Sequence, residues 1–173
     1  AANRLPQMAG IEILRFNTRG TASERGRSEG SYDHGVSERC DVEAAIAYAI
    51  SELHATNLWV VGWSFGTDLA LAYARNPHVK GLILLSPPLR TSKPEDLTFW
   101  ATDGRPIIAL IPEHDEYLQY PEAMKRFAVI PQIRVIHVFG AKHLWVGEPM
   151  VYRVLTEIVS IVAPFRLPLA TEV

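Results

Sequence analysis

The chain has 173 residues, of which 48% are hydrophobic and 21% are charged, a composition typical of one globular domain with a sizeable core. Its formal net charge is -2 and no apolar run reaches the ~18 residues of a membrane-spanning helix, so neither nucleic acid nor a membrane is an expected partner. The single cysteine, Cys40, excludes an internal disulfide and favours a reducing, cytoplasmic location.

Five short apolar runs predict buried β-strands. They are nearly continuous rather than alternating, and they are rich in Ile, Val and Leu. Strands of a parallel sheet have this pattern because both of their faces are buried. The runs cover residues 11–17, 57–63, 81–86, 106–112 and 133–139.

Helical patterns follow the strand runs. The segments are residues 38–55 with Ser37 as N-cap, the residues after Ser64, residues 120–130, and residues 148–165 with Pro164 ending the helix. This alternation predicts an α/β fold with a doubly wound, mostly parallel sheet of at least five strands, in a single domain over residues 1–173.

In such sheets the ligand site lies beyond the carboxyl ends of the strands, so the residues that follow each run are the candidates for chemistry. Ser64, Asp115 and His143 follow three different runs. We therefore expect them to meet at one edge of the sheet.

The segment GWSFG, residues 62–66, has the spacing of a tight strand-to-helix turn that exposes a nucleophilic serine. Gly62 and Gly66 are expected to leave room where a side chain would collide with neighbouring backbone. The backbone N–H of Phe65 would then be free to donate to an oxyanion, aided by the positive end of the helix dipole.

A serine hydroxyl needs a base within hydrogen-bond reach, and the base needs an orienting carboxylate. We expect His143 to take the proton of Ser64 and Asp115 to hold the imidazole. The reaction would be acyl transfer to water through an acyl-enzyme, which requires no metal or organic cofactor.

Other residues compete for these roles. Glu113 is the main rival of Asp115, and His114 beside it could line the cleft. His137 lies inside an apolar run and is expected to be a core histidine. Cys40 falls in a helical pattern and reads as a small apolar filler. Three aromatic side chains could either line an acyl pocket or pack in the core: Trp63, Phe65 and Trp145.

The loop at residues 18–35 is rich in glycine and arginine, but it lacks the phosphate-binding motif G-x-x-x-x-G-K-[ST]. It is interpreted as a connection in which Tyr32 or Asp33 braces the site.

Several motifs together resemble the α/β-hydrolase fold, and within it the compact, lid-poor bacterial serine hydrolases related to dienelactone hydrolases and small carboxylesterases. The matching positions are Asn17 to Gly20; Gly26, Ser28, Gly30, Tyr32, Asp33 and Gly35; Asp41, Ala44 and Ala45; Gly62 to Gly66; Ser86 to Pro88; and Gly140 to His143. The family's acid motif G-D-x-D reads PEHD here, which keeps Asp115.

The resemblance implies a serine hydrolase that cleaves a small ester or related acyl compound, and it implies elements outside this sequence. Three strands and a loop with a second oxyanion donor, about 40 to 60 residues, would precede residue 1 or come from a partner chain. Residues 11–17 would then form a bare strand edge that favours pairing between copies. The short segment at residues 87–105 leaves no room for a large lid. The alternative is a non-catalytic interaction or scaffold domain of the same fold.

Overall fold

A computed structural model describes residues 3–23 and 26–170 of the chain. The chain divides into two compact units, each of which is described by itself. The larger unit runs over residues 16–143, and the smaller unit combines residues 1–15 with residues 144–173. Among the described residues, no helix combines the length and the apolar character needed to cross a membrane.

Helices and strands alternate along most of the chain. The helices are α1 (Leu5–Ala9), α2 (Glu38–Ser51), α3 (Phe65–Tyr73), α4 (Pro94–Asp103), α5 (Tyr120–Phe127) and α6 (Glu148–Val162), followed by a short 3-10 turn over Pro164–Arg166. The strands are β1 (Ala22–Ser23), β2 (Gly26–Arg27), β3 (Leu58–Trp63), β4 (Val79–Leu85), β5 (Ile107–His114) and β6 (Arg134–Lys142).

The strands β3, β4, β5 and β6 form one parallel sheet in that order, whereas β1 and β2 form an antiparallel hairpin. In the sheet register, Gly62 lies opposite Leu84, and Leu84 lies opposite Ala109. The helices α3, α4 and α5 connect successive strands of the sheet. The predicted α/β class with a parallel sheet is confirmed, and so are four of the five predicted strands.

The predicted strand at residues 11–17 is wrong. These residues have no strand conformation, and Ile13, Leu14 and Phe16 are exposed. A strand forms only where a neighbour satisfies its backbone N–H and C=O groups, and none of the described strands pairs with this run. Its apolar composition was therefore not sufficient to make it a strand.

The core of the larger unit lies between one face of the sheet and four helices. It includes Leu82, Leu84, Ala109 and Ile111 from the strands, with Val42, Leu69, Trp100 and Phe127 from α2, α3, α4 and α5. The alternate strand residues Ile83, Leu85, Ile108 and Leu110 are buried as well. Burial on both faces accounts for the nearly continuous apolar runs of the sequence.

The four predicted helices are present with small shifts at their ends, and two further helices have no counterpart among them. Helix α2 stops at Ser51 rather than residue 55, and Ser37 at its N-cap makes no side-chain bond to the helix backbone. The hydroxyl of Ser37 donates instead to the carboxylate of Asp33. The two further helices are the five-residue α1 and α4, which begins at Pro94 in the connection between β4 and β5.

In the smaller unit, α6 buries an apolar stripe that includes Leu155 and Val159. The Arg4 guanidinium donates to the Glu148 carboxylate at 2.7 Å, and the Tyr152 hydroxyl donates to the Leu169 carbonyl at 2.7 Å. These bonds tie the first and last described segments of the unit to α6.

Two carboxylates on α2 hold the loop that precedes it. The Asp41 carboxylate accepts hydrogen bonds from the backbone N–H and the guanidinium of Arg19, at 2.9 to 3.1 Å. The buried Glu38 carboxylate accepts from the backbone N–H groups of Asp33 and Gly35, at 2.8 and 2.9 Å. The hydrogen bond from Arg19 lowers the pKa of Asp41 below its usual value.

This lowered pKa predicts a pH-dependent contribution to stability. Because the folded state favours the ionised Asp41, the contribution is present above about pH 4 and is lost as the pH falls through the folded pKa. We expect D41N to lower the urea midpoint at pH 7, with a smaller difference from wild type in more acidic buffer. The exposed residue Glu43 of α2 provides the control variant E43Q. An equal deficit of D41N at every pH would contradict the account.

Candidate active site

Ser64 occupies a strained turn between β3 and α3. Its backbone has φ 51° and ψ -125°, a conformation that non-glycine residues seldom adopt and that costs about 1–3 kcal/mol. The surrounding main chain fixes this conformation. The N–H of Ser64 donates to the Leu85 carbonyl of the neighbouring strand at 2.9 Å, and its own carbonyl accepts from the N–H and hydroxyl of Thr67 at 2.8 and 2.7 Å.

The two glycines that flank Ser64 differ in their surroundings. A Cβ at Gly62 would lie 2.5 Å from the Gly66 carbonyl oxygen and 2.7 Å from the Cα of Thr67, so the strand and the helix approach too closely for any side chain. A Cβ at Gly66 would meet no atom within 4 Å outside its own helix. The expectation of a close backbone approach is therefore right for Gly62 and wrong for Gly66.

Ser64, His143 and Asp115 are joined by two hydrogen bonds. The Ser64 Oγ lies 2.8 Å from the Nε2 of His143, and the Nδ1 of His143 lies 2.9 Å from the Oδ2 of Asp115. An ionised carboxylate can only accept a hydrogen bond, so Nδ1 carries a proton and Nε2 is left to accept the serine hydroxyl. His143 and Asp115 are both buried. The structure thus brings together the three residues that the sequence placed after different strands.

The Asp115 carboxylate is held from both sides. Its Oδ1 accepts from the backbone N–H groups of Tyr117 at 2.8 Å and Leu118 at 3.3 Å, while its Oδ2 faces His143. These hydrogen bonds satisfy the oxygens of a carboxylate that is buried away from water. The arrangement keeps one oxygen aimed at the imidazole.

The main-chain carbonyl of His143 is also fixed. It accepts a hydrogen bond from the indole N–H of Trp63 at 3.1 Å and another from the hydroxyl of Ser86 at 3.0 Å. The ring of Tyr117 packs against the imidazole with 4.6 Å between centroids. Ser86 and Tyr117 were not singled out in the sequence as site residues, although Ser86 lies in the SPP motif that follows a strand and Tyr117 is two residues after Asp115.

Phe65 is the first residue of α3, so its backbone N–H has no carbonyl one turn earlier to bond within the helix. This N–H is the candidate oxyanion donor beside Ser64. The Phe65 ring meets the exposed ring of Tyr32 at 5.5 Å between centroids, and Tyr32 packs against His34 at 4.8 Å. Tyr32 therefore contacts the turn that carries Ser64, while the Asp33 carboxylate accepts a hydrogen bond from the Ser37 hydroxyl.

Glu113 and His114 have other partners. The Glu113 carboxylate accepts from the Gly140 N–H at 2.7 Å and lies 3.6 Å from the Nε2 of the exposed His114. Asp115, and not Glu113, is the acid that bonds His143. A carboxylate oxygen of the exposed Glu116 lies within 4.8 Å of a carboxylate oxygen of Asp115 and of a ring nitrogen of His143. A cation among these three would compete with the existing hydrogen bonds of Asp115 and His143.

The remaining candidates differ in burial. His137 is only half-buried, stacked between Tyr120 at 4.6 Å and the exposed Phe139 at 4.5 Å, and is therefore not the core histidine expected. Cys40 is exposed on α2, so it does not fill a core position. Trp145 is buried and belongs to the smaller unit, and its predicted role in an acyl pocket stays a prediction.

Comparison with known proteins identifies the family and the fold of the chain. Residues 2–113 match the family model of the alpha/beta hydrolase fold, and the chain belongs to that family. It is 33% identical over 94 residues to the uncharacterized protein RP471 of Rickettsia prowazekii. That match covers 53% of this chain and 38% of the relative, so the chain aligns with well under half of that protein.

Similar solved structures include a serine hydrolase homologue, a serine hydrolase and an esterase. An alpha-beta serine hydrolase homologue from Coxiella burnetii has a TM-score of 0.67 at 24% identity, covering 86% of this chain and 68% of that one. XC6422 from Xanthomonas campestris, a serine hydrolase without a lid, has a TM-score of 0.65 at 22% identity, and the match covers 89% of this chain and 66% of that one. The Pyrococcus furiosus esterase Pf2001 has a TM-score of 0.61 at 17% identity, and the match covers 77% of this chain and 64% of that one. At these identities the likeness defines the fold alone.

The different space around Gly62 and Gly66, the two glycines that flank Ser64, gives a matched pair of variants. We expect G62A to be destabilised by about 2 kcal/mol or more, because its methyl group must displace the backbone of α3. We expect G66A to remain within about 1 kcal/mol of wild type, since its methyl group has space and alanine favours a helix. Urea denaturation compares the two, and equal losses would contradict the assigned geometry.

Proposed function

We propose that this chain carries the catalytic residues of a serine hydrolase that cleaves a small ester or related acyl compound. The proposal is carried by one observation: the Ser64 hydroxyl lies 2.8 Å from a histidine nitrogen whose other nitrogen lies 2.9 Å from a buried carboxylate. This is the geometry that turns an unreactive alcohol into a nucleophile. The similarity in fold to a serine hydrolase homologue, a serine hydrolase and an esterase supports the same class of reaction.

In the proposed mechanism, Ser64 Oγ attacks the acyl carbonyl while its proton passes to Nε2 of His143. Asp115 stabilises the imidazolium that forms. His143 then returns the proton to the leaving alkoxide, and the alcohol departs. Water, activated by the same imidazole, attacks the acyl-enzyme and releases the acid with free Ser64.

The N–H of Phe65 is proposed to bind the oxyanion of each tetrahedral intermediate. It lies at the start of α3, where the helix dipole adds positive potential. One such donor contributes about 10²- to 10³-fold in kcat in enzymes of this kind. The second donor that the sequence resemblance implies stays a prediction.

A small or exposed substrate is favoured by the surroundings of Ser64. The connection between β4 and β5 contains only the ten-residue helix α4, which is too short for a lid domain. Tyr32, Trp63 and Tyr117 near the triad are about half exposed, so the approach to Ser64 is open and rimmed by aromatic rings.

Covalent labelling tests the nucleophile and separates this proposal from a non-catalytic scaffold. We expect a fluorophosphonate probe to modify Ser64 of the folded protein, because Nε2 of His143 activates its hydroxyl. Intact-mass and peptide mass spectrometry locate the label. The variant S64A should take up none, and S51A, which removes an exposed hydroxyl at the end of α2, should still be labelled. Absence of label on folded wild type would refute the proposal.

The two histidines of β6 and the loop after it provide a test of the base. Replacing His143 by alanine is expected to reduce kcat by about 10³-fold or more on a p-nitrophenyl acyl ester, because the proton acceptor of Ser64 is lost. The control H137A loses only ring contacts with Tyr120 and Phe139 and should keep most of the turnover. A well-folded H137A without activity, beside an active H143A, would overturn the assignment.

A further inference from the structure

Arg90 is an exposed arginine that lies close to the triad. It follows β4, and its guanidinium carbon sits 5.9 Å from the ring centroid of Tyr117. The Tyr117 ring in turn packs against the imidazole of His143 at 4.6 Å. One aromatic ring therefore separates a fixed positive charge from the proposed catalytic base.

The backbone around Arg90 is held by a buried carboxylate of α3. Asp68 accepts hydrogen bonds from the N–H groups of Arg90 and Thr91 at 2.9 and 2.8 Å, and from the hydroxyls of Thr91 and Ser92 at 3.1 and 2.7 Å. Asp68 lies in the first turn of the helix that begins after Ser64. The position of the Arg90 backbone is thus tied to the helix that follows the proposed nucleophile.

The residue before Arg90 is fixed as well. Leu89 is buried with φ 49°, and its carbonyl accepts from the Arg126 guanidinium of α5 at 2.6 Å. A side chain that projects from such an anchored backbone loses less conformational entropy when it binds a ligand.

The Arg90 guanidinium has no carboxylate partner among residues 3–23 and 26–170. Four other arginines of the larger unit are paired with carboxylates: Arg19 with Asp41, Arg39 with Glu43, Arg75 with Asp96 and Arg105 with Asp103. The guanidinium of Arg90 is therefore available to bind an anion, and its planar fork matches the two oxygens of a carboxylate.

The charge near the imidazole has the opposite sign. A carboxylate oxygen of the exposed Glu116 lies within 4.8 Å of a ring nitrogen of His143. An anionic group would be repelled on that side and attracted on the Arg90 side of Tyr117. The two charges together would orient a substrate that has a negative end.

We propose that Arg90 binds a carboxylate of the substrate, so that the preferred substrates are acyl esters bearing a carboxylate on the acyl chain or on the leaving group. This inference rests on the proposed function. Arg90 is a specificity-determining residue in this scheme, and the chemistry at Ser64 is unchanged.

Paired esters, one bearing a carboxylate and one with that carboxylate methylated, test the proposal when each rate is divided by that ester's uncatalysed hydrolysis rate. In the acyl arm, p-nitrophenyl hydrogen glutarate is compared with its methyl ester. In the leaving-group arm, p-carboxyphenyl butyrate is compared with its methyl ester. We expect wild type to prefer the carboxylated member of one pair by about tenfold in kcat/KM, and the arm that responds identifies where the charge belongs.

The variant R90Q should bring that preference to about one while the neutral ester keeps its rate within about twofold, because the guanidinium is exposed and supports only a weak ring contact. R90K should retain part of the preference. The matched control is K80Q, which removes an equal charge from the exposed start of β4, at the opposite end of the sheet. A preference that survives in R90Q, or its absence from wild type in both arms, would overturn the proposal.

Binding to S64A separates this inference from the proposed function. NMR titration of folded S64A with each ester needs no turnover, so it reports on Arg90 even if wild type hydrolyses nothing. Tighter binding of the carboxylated ester, lost in S64A/R90Q, supports the carboxylate site. Equal affinities for the charged and neutral esters would refute it, whereas a failure of turnover alone would refute only the proposed hydrolase activity.

Discussion

The site depends on two hydrogen bonds to one main-chain oxygen, the carbonyl of His143. The donors are the indole of Trp63, the last residue of β3, and the hydroxyl of Ser86, the first residue after β4. The same two strands hold Ser64, whose N–H bonds the carbonyl of Leu85. Residues at the ends of β3 and β4 therefore hold both His143 and Ser64, which explains how a contact of 2.8 Å can exist between residues 79 positions apart. The pairing of β3 with β4 thus helps to set the distance between the serine and the histidine.

Much of the site could be predicted from sequence because its residues follow strands, and the carboxyl ends of parallel strands share one edge. The order Ser64, Asp115, His143 required no knowledge of side-chain contacts. The predicted strand at residues 11–17 failed for a physical reason: strand formation depends on a neighbour, which no local pattern contains. Gly66 was misjudged because only its partner Gly62 faces the backbone of α3. The bond from Trp63 to His143 spans 80 residues and leaves no trace in either segment. The single-domain organisation and the oxyanion role of Phe65 stay predictions.

The surroundings of the triad are asymmetric. Tyr32 and Phe65 form an uncharged aromatic contact beside the serine turn. Near the imidazole, Tyr117 lies between the guanidinium of Arg90 and the buried ring of His143, and Glu116 adds a carboxylate. An apolar part of a substrate would suit the first region and a polar part the second. Such a division would orient a small molecule beside Ser64.

The contacts of Asp115 have a consequence for how such a site can diversify. The two groups that satisfy its Oδ1 are backbone N–H groups, those of Tyr117 and Leu118, which every residue except proline supplies. Substitutions at 116 and 117 can therefore alter the charge and shape of the surface beside His143, while Asp115 keeps its two backbone hydrogen bonds. In the proposed hydrolase, selection for a new substrate can act on side chains that lie within two residues of the acid without affecting its support. In the proposed hydrolase, support of the acid and choice of substrate would share a loop but belong to different parts of it, one to the main chain and one to the side chains.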